Sequence, residues 1–262
     1  MKKNKLRELL NAGKPSLGTH MVSTSPVILE VTGLSGGFDY VELCGEYAAW
    51  DLSQLEHFAR TVELFPNMSS MMKVEQEPRT FITTRALDAG IQNILFADCH
   101  SAEEVRESIR TVLPETPKDG GLHGCSMRRS SGYLLECGNE AWAQAQRDVV
   151  IAIMIEKASA MEQLDEILSV KGIDMVQFGP CDYAISLGKP GKSGDSDVIN
   201  AQRNMIEKAL KKGVHPRVEI STFEKAADFI AMGVRHFCVG ADVVTQYTFC
   251  KEQGESMRNL LA

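Results

Sequence analysis

Segments with strand-like and helix-like hydrophobic spacing alternate almost without interruption along this 262-residue chain. The predicted strands are short apolar runs at residues 16–21, 38–43, 68–74, 93–97, 151–155, 175–178, 217–220 and 236–239. The predicted helices lie at residues 26–34, 52–64, 79–89, 102–112, 161–168, 198–212, 222–232 and 246–260, with a further short one at 140–146. Eight strands that are each followed by a helix indicate an α/β fold, a single (β/α)8 TIM barrel.

The sequence contains no linker, low-complexity tract or repeat that would divide this barrel. A single domain over residues 1–262 is therefore expected, with a helix at the charged N-terminus. A doubly wound sheet is the alternative architecture, but its phosphate-binding GxGxxG sequence is absent. Residues 114–138 and 189–197 are rich in glycine, proline and serine and are predicted as loops; the first is long enough to be functional or mobile.

Composition and charge exclude several classes of protein. The net charge is −7 without a basic cluster, which argues against binding to nucleic acid or to an anionic membrane surface. No apolar run approaches the roughly 18 residues of a transmembrane helix, and the N-terminus lacks a signal-peptide core. The seven cysteines form no CxxC pair, which predicts free thiols in a reducing compartment. A cytoplasmic location is therefore expected.

Two acidic residues follow consecutive predicted strands. Glu156 comes directly after IAIMI, and Asp182 comes just after MVQF and a Gly-Pro pair that is expected to lie in a loop. In parallel β/α folds, residues beyond the carboxyl ends of the strands line a shared binding face. Two carboxylates there suit a hard divalent cation with open positions for a substrate. The alternative is that both acids are helix N-caps or ion-pair partners.

This region resembles the HpcH/HpaI aldolases, which are metal-dependent class II pyruvate aldolases of the phosphoenolpyruvate/pyruvate barrel superfamily. The resemblance covers residues 17–242, and its most specific part is IEKASAMEQLDEILSVKGIDMVQFGPCDYAISLG. The segments FDYVELCGEYAAWD, LDAGIQNILF and VGAD match more weakly. A glutamate after the fifth strand followed by GIDxxxxGPxD after the sixth is a specific pairing. The resemblance implies that a pyruvate enolate is held on a divalent metal and added reversibly to an aldehyde.

The resemblance also implies roles for individual residues. Glu156 and Asp182 would bind the metal, which could be Mg2+, Mn2+ or Co2+. Lys73 would replace the arginine that the family places on the third strand, keeping the charge but losing the bidentate fork. Glu46 would act through water or through contacts around the metal ligands. The substrate-binding turn would be formed by Gly179, Pro180, Cys181 and Asp182.

The match fails at the end of the second strand. The family typically has an aspartate and a histidine there, where this chain has Cys44 and Tyr47. Either side chain needs a lowered pKa to act as a base near neutral pH, so Tyr47 is expected either to position substrate or to move a proton. His20, at the end of the first strand, and His123, in the long loop, are candidate substitutes for the lost imidazole. His57 lies within a helix and is expected to be solvated.

Three functions are consistent with these residues. The first is an aldolase that joins a pyruvate enolate to an aldehyde. The second is a decarboxylase of an oxaloacetate-type 2-oxo acid on the same site, which needs no base for a substrate hydroxyl. The third is a catalytically silent barrel that binds a 2-oxo acid or a metal. Family members typically form hexamers, in which trimers pair through an exchanged last helix, so residues 246–260 are expected to serve a homo-oligomer.

Overall fold

The computed structural model describes residues 3–262 and contains one closed barrel of eight parallel strands. The strands follow one another in chain order around the barrel, and the last pairs with the first. They are β1 (Ser16–Met21), β2 (Tyr40–Cys44), β3 (Ser69–Val74), β4 (Asn93–Phe96), β5 (Val150–Ile155), β6 (Met175–Phe178), β7 (His215–Ile220) and β8 (His236–Ala241). The predicted (β/α)8 barrel is confirmed.

Helices surround the barrel and cover its N-terminal end. They are α1 (Lys5–Asn11), α2 (Pro26–Leu34), α3 (Leu52–Glu63), α4 (Arg79–Ala89), α5 (Ala102–Val112), α6 (Glu140–Arg147), α7 (Ala158–Glu162), α8 (Leu164–Ile167), α9 (Pro180–Ser186), α10 (Ser196–Lys212), α11 (Ala226–Ala231) and α12 (Asp242–Leu261). Four predicted helices, at residues 26–34, 79–89, 102–112 and 52–64, agree with α2, α4, α5 and α3 to within one residue. Their ends carry clear signals, such as the capping box of Asp51 and Gln54 before α3 and the left-handed Gly90 after α4.

Four predicted segments differ clearly in the structure. The helix predicted at residues 222–232 is the shorter α11, which a 3-10 turn at Phe223–Lys225 precedes. Residues 161–168 lie in two short helices, α7 and α8, which Gln163 separates. The loop predicted after β6 is the helix α9, which begins at Pro180 because proline suits the first helical position. The last helix begins at Asp242 rather than at residue 246, since the Asp242 carboxylate accepts hydrogen bonds from the backbone N–H groups of Val22 and Ser23, which tie its start to the end of β1.

The alternation of side chains along each strand separates the core from the barrel interior. On β2, Val41 and Leu43 pack against the helices, whereas Tyr40, Glu42 and Cys44 alternate with them and point the other way. The part of the interior near the N-terminal end is apolar, and Leu6 and Leu10 of α1 close it from below. The polar side chains of the interior therefore lie nearer the C-terminal end of the barrel, where the candidate site is.

A buried arginine organises the polar layer inside the barrel. Arg217 on β7 has no exposed surface, and its Nε donates a hydrogen bond of 2.7 Å to the hydroxyl of Tyr40. Its two terminal nitrogens donate to Gln177 and to Glu42. Burial works against the charge of Glu42, but Arg217 outweighs it and lowers the pKa of this carboxyl group. Removing such an ion pair from water is costly. We therefore infer that Arg217 and Glu42 mainly position the side chains that they contact and contribute little net stability.

The long loop between α5 and α6 contains a disulfide bond between Cys125 and Cys137. The prediction that all cysteines are free is wrong for this pair. The two residues are 12 positions apart, and the loop folds back so that their Cα atoms lie 5.8 Å apart, within the range of a disulfide. No pattern in the sequence predicts that the loop folds back in this way. The remaining five cysteines, Cys44, Cys99, Cys181, Cys238 and Cys250, are free.

The last helix contacts the barrel at its start, near β1 and β8, and its side chains remain largely exposed. None of the described residues of α12 is buried, although it carries seven large apolar side chains that are mostly exposed: Val243, Val244, Tyr247, Phe249, Met257, Leu260 and Leu261. Within residues 3–262, no helix is both long enough and apolar enough to span a membrane.

Candidate active site

The carboxylate of Glu156 lies at the mouth of the barrel, directly after β5, and is 2% exposed. It packs against the backbone of Gly179, just after β6. A Cβ atom at position 179 would lie 2.4 Å from Oε2 of Glu156 and 2.7 Å from its Cβ. The glycine is therefore required for space, since its φ of −104° is open to any residue. Burial raises the pKa of Glu156.

The backbone after β4 holds the other oxygen of Glu156. The N–H of Asp98 donates a hydrogen bond of 2.9 Å to Oε1 of Glu156, and Asp98 itself has a φ of +52°. A non-glycine residue with positive φ is uncommon and marks a constrained turn. The carboxylate of Asp98 in turn pairs with Lys157 at 2.5 Å. Sequence analysis missed both Asp98 and Lys157, although their positions just beyond strand ends could have indicated them.

The predicted substrate-binding residues form the start of α9. Gly179 precedes the helix, Pro180 is its first residue, and Cys181 and Asp182 complete the first turn. Cys181 is exposed and Asp182 is partly exposed, so both are accessible from solvent. N–H groups in a first helical turn have no partner within the helix, and they remain free to bind an anion. The charge of Asp182 contributes to a raised pKa of Lys157, the residue that precedes α7.

Lys73 is the buried cation of the site. It is the last residue but one of β3, where it pairs with Cys44 of β2, and it is 6% exposed. Its Nζ lies 2.6 Å from Oε2 of Glu46 and 3.2 Å from the hydroxyl of Tyr47. Burial opposes its charge, but the carboxylates of Glu156 and Glu46 more than offset this and raise the pKa of Lys73. Lys73 is therefore protonated over the working pH range, with carboxylates on two sides.

Neither residue that replaces the family's acid–base pair has the lowered pKa that a base would need. Tyr47 is 62% exposed, yet partial burial of its hydroxyl raises its pKa to about 12 in spite of Lys73. Burial also raises the pKa of the Cys44 thiol.

His20 lies on β1 inside the barrel, as the sequence indicated, and is 9% exposed. A carboxylate faces each of its ring nitrogens: Oε1 of Glu42 lies 3.4 Å from Nε2, and Oε1 of Glu219 lies 3.6 Å from Nδ1. Neither Glu42 nor Glu219 was predicted as a site residue. They lie on β2 and β7, and only the register of the closed barrel brings them to His20 on β1.

The other two histidines lie elsewhere. His123 is buried 3.7 Å from Asp88 at the end of α4, with its ring 6.0 Å from that of Trp142. That position is at the N-terminal end of the barrel, so the expectation that His123 could fold over the site is wrong. The loop that carries it is bound to the end of α5 through the backbone of Leu113. His57 is exposed on α3, as predicted.

The carboxylates that follow the neighbouring strands β5 and β6, with the buried Lys73 nearby, lie at the end of the barrel where (β/α)8 enzymes hold their active sites. The family model for HpcH/HpaI aldolase/citrate lyase matches residues 22–246, and the chain belongs to this family of class II aldolases and lyases. The resemblance noted from the sequence is thereby confirmed.

Relatives of known activity cover almost the whole chain. A 5-keto-4-deoxy-D-glucarate aldolase of Shigella dysenteriae is 26% identical over 92% of this chain and 91% of its own length. A 2-keto-3-deoxy-L-rhamnonate aldolase of Escherichia coli is 27% identical over 88% of this chain and 87% of its own. Among solved structures, an HpcH/HpaI family protein of Burkholderia cenocepacia has a TM-score of 0.88 and 22% identity, covering 98% of this chain and all of that one. This last likeness concerns the fold.

Proposed function

We propose that this protein is a metal-dependent class II aldolase that forms the enolate of a pyruvate-type 2-oxo acid and adds it reversibly to an aldehyde. The observation that carries this proposal is the placement of the Glu156 carboxylate, seated against Gly179 with the protonated Lys73 opposite. A carboxylate held rigidly at a barrel mouth beside a buried cation is the arrangement that such a reaction needs.

The donor set fits a hard divalent cation. Members of this family are generally metal-dependent. Glu156 offers Oε2 above Gly179, where a side chain would fill the space, and Asp182 offers a second carboxylate after the next strand. Oxygen ligands of this kind suit Mg2+, Mn2+ or Co2+. When bound, such an ion polarises the keto group of the substrate and acidifies the neighbouring methyl group.

Lys73 stabilises negative charge that develops on the substrate during proton removal. Its ammonium group is fixed by Glu46 and by the hydroxyl of Tyr47, so it does not have to reorganise when charge appears. Glu46 thereby acts through Lys73, and Tyr47 borders the position of the substrate. The N–H groups of Cys181 and Asp182 bind the carboxylate of the 2-oxo acid, with Gly179 and Pro180 setting the approach of the backbone.

The named relatives indicate the class of substrate. Both are aldolases named for keto-deoxy sugar acids, which release a 2-oxo acid and a hydroxyaldehyde when the carbon–carbon bond breaks. We therefore assign a short 2-hydroxyaldehyde as the acceptor. The relatives do not favour the decarboxylase or the catalytically silent barrel. Decarboxylation remains worth an assay, because it requires no base at Tyr47 or Cys44.

We also propose that the protein is cytoplasmic and assembles into a trimer or hexamer through α12. The five free cysteines support a reducing compartment, and the Cys125–Cys137 disulfide is the exception. The seven exposed apolar side chains of α12 support assembly, because such a number on one helix suggests an interface. The composition and charge support a small-molecule substrate rather than nucleic acid or membrane as a partner.

The proposal is tested by exchange of the methyl protons of pyruvate with deuterium, followed by NMR. We expect exchange that requires Mg2+, Mn2+ or Co2+ and that Glu156→Gln abolishes. Glu166→Gln, a matched change at an exposed position on α8, should leave exchange intact. A wild-type protein that exchanges no protons with any of the three ions would overturn the proposal. Loss of oxaloacetate above the metal-only background without such exchange would indicate the decarboxylase instead.

A further inference from the structure

Three side chains inside the barrel, from the adjacent strands β1, β2 and β8, form a cluster that the proposed aldolase chemistry does not use. They are His20, Glu42 and Cys238, and all three are buried. One ligand atom from each lies within 4.8 Å of the others. We propose that this cluster binds a second divalent metal ion of the Zn2+ or Co2+ type, distinct from the ion at Glu156 and Asp182.

The distance between Nε2 of His20 and Oε1 of Glu42 suits two ligands of one metal ion better than a direct hydrogen bond. Nε2 of His20 and Oε1 of Glu42 are 3.4 Å apart, which is long for a hydrogen bond. Two ligands that each lie about 2.0–2.1 Å from a tetrahedral zinc ion are separated by about 3.4 Å. Among the described residues, neither atom has a hydrogen-bond partner. Buried polar atoms without a partner are rare and call for an explanation such as a bound ion.

The groups that contact the remaining polar atoms of His20 and Glu42 are of the kind found around metal ligands. A histidine that binds a metal through one nitrogen usually directs the other toward a carboxylate. Nδ1 of His20 faces Oε1 of Glu219 at 3.6 Å. A carboxylate ligand is usually held through its second oxygen, and Oε2 of Glu42 accepts a hydrogen bond from Arg217. Both supporting contacts come from β7, the neighbour of β8.

The mixture of nitrogen, oxygen and sulfur selects the type of metal. Imidazole and thiolate favour Zn2+, Co2+ or Fe2+ over Mg2+ and Ca2+, which prefer oxygen alone. Binding breaks the S–H bond of Cys238, its sulfur bonds to the ion as thiolate, and the proton passes to solvent. The two anionic ligands and Glu219 then balance the doubly charged ion and Arg217. Three protein ligands leave a fourth position for water or a small molecule.

This proposal is independent of the proposed aldolase function. It gives His20 a role as a metal ligand, in place of the proton transfer expected from the sequence. It also explains why a carboxylate and an arginine occupy the interior of a barrel whose lower layer is apolar. The metal site proposed above uses Glu156 and Asp182, which are not members of this cluster, so variants can remove one site and leave the other.

The test is a titration of chelator-treated full-length Glu156→Gln protein with Co2+, followed by absorption spectroscopy. We expect one equivalent of Co2+ to produce a sulfur-to-cobalt charge-transfer band in the near ultraviolet, which Zn2+ abolishes by displacement. The band should disappear in the additional variant Cys238→Ser. It should remain with Cys99→Ser, a matched change at another buried free cysteine.

A second measurement does not depend on the folding of the cysteine variant. Zinc-edge X-ray absorption of zinc-loaded Glu156→Gln protein should show one sulfur at about 2.3 Å. His20→Gln should weaken Co2+ binding by at least about 10-fold, as the loss of a ligand or of its support typically does. A coordination shell without sulfur, or a charge-transfer band that survives Cys238→Ser, would overturn the proposal.

Discussion

The backbone of Gly179 approaches the carboxylate of Glu156 so closely that a Cβ atom there would lie 2.4 Å from Oε2. The residues that follow two neighbouring strands form this contact. Glu156, after β5, carries the charge, and Gly179, after β6, leaves room for its carboxylate. Because the φ of Gly179 is unremarkable, this glycine is needed for the fit of the site and not for its own conformation. The relationship leads to the first of five predictions.

Gly179→Ala should displace Glu156 and weaken the metal site while the barrel stays folded. We expect about 10- to 100-fold lower affinity for Mn2+, as is typical when a group that supports a metal ligand is lost. Isothermal titration calorimetry would measure the affinity. Gly194→Ala is a matched control, because a Cβ at position 194 meets no atom within 4 Å. Equal affinities in the two variants would contradict the assigned role.

Lys73→Met should lower kcat for pyruvate methyl-proton exchange by about 100- to 1,000-fold, in the range seen when a group that stabilises developing charge is removed. Metal affinity should change much less, because Lys73 is not a ligand. Lys73→Arg, which keeps the charge, should recover part of the activity. If the methionine variant exchanged protons at the wild-type rate, Lys73 would have no part in stabilising the enolate.

Arg217→Met should cost roughly 3–5 kcal/mol of unfolding free energy, since it leaves the buried carboxylate of Glu42 without its partner. The double variant Glu42→Gln/Arg217→Met should lose less, because no unpaired charge remains. Urea unfolding would measure both. Lys189→Met removes the surface pair with Asp197 and should cost less than about 1 kcal/mol. A double variant less stable than Arg217→Met would show that the two side chains do not act as a pair.

His236 should make the stability depend on pH between about 4 and 6.5. Burial, with His215 and Arg235 nearby, lowers the pKa of His236 from 6.5 to about 4. The folded state then binds fewer protons than the unfolded state in this window, so stability rises with pH. Its contribution is complete above pH 6.5 and is lost as the pH falls toward 4, amounting to roughly 3 kcal/mol.

The check is urea unfolding at several pH values. His236→Gln should reduce the dependence between pH 4 and 6.5, and a smaller part should remain from His215, whose pKa burial also lowers. His57→Gln, at an exposed histidine, should leave the dependence unchanged. His236 accepts or donates a hydrogen bond with Ser16 at 2.9 Å, so the glutamine variant keeps a polar partner there. A dependence of wild-type steepness in His236→Gln would contradict the assignment.

The double variant Leu260→Glu/Leu261→Glu should reduce the oligomer to smaller species. Both leucines are 80% exposed in α12, and charges there would be buried without partners in an interface. Light scattering coupled to gel filtration would give the mass. Phe223→Glu, at a 75% exposed aromatic side chain outside α12, serves as the control. An unchanged mass would place the interface elsewhere.

The strands were predictable because each is a short apolar run bounded by a turn or a cap, and these signals are local. The same local rules failed where contacts between distant segments decide the outcome. The disulfide between Cys125 and Cys137 depends on how a long loop folds back, and His123 was drawn away from the site because its loop is anchored to α5. Neither the disulfide nor the attachment of the loop to α5 produces a periodic pattern in the sequence.

The site itself was predictable in part. Glu156 and Asp182 could be proposed as site residues from their positions after two consecutive strands, and Lys73 could be proposed from the family resemblance. Glu42 and Glu219 could not, because an acid within a short strand is compatible with either face until the register of the barrel is known. The role of Asp98 could not be predicted, because Asp98 contacts Glu156 through its backbone N–H, a group that every residue other than proline has.

The sequence by itself determined the eightfold alternation of strand and helix, the family, and the positions of the two carboxylates after β5 and β6. These properties follow from hydrophobic spacing and from residues that are near one another along the chain. Only the tertiary structure decided what faces those carboxylates and what surrounds His20. Closing the barrel brings β1 beside β8, and thereby places Cys238 near a histidine more than 200 residues away in the chain. Such proximity arises from closure of the sheet, and no local pattern encodes it.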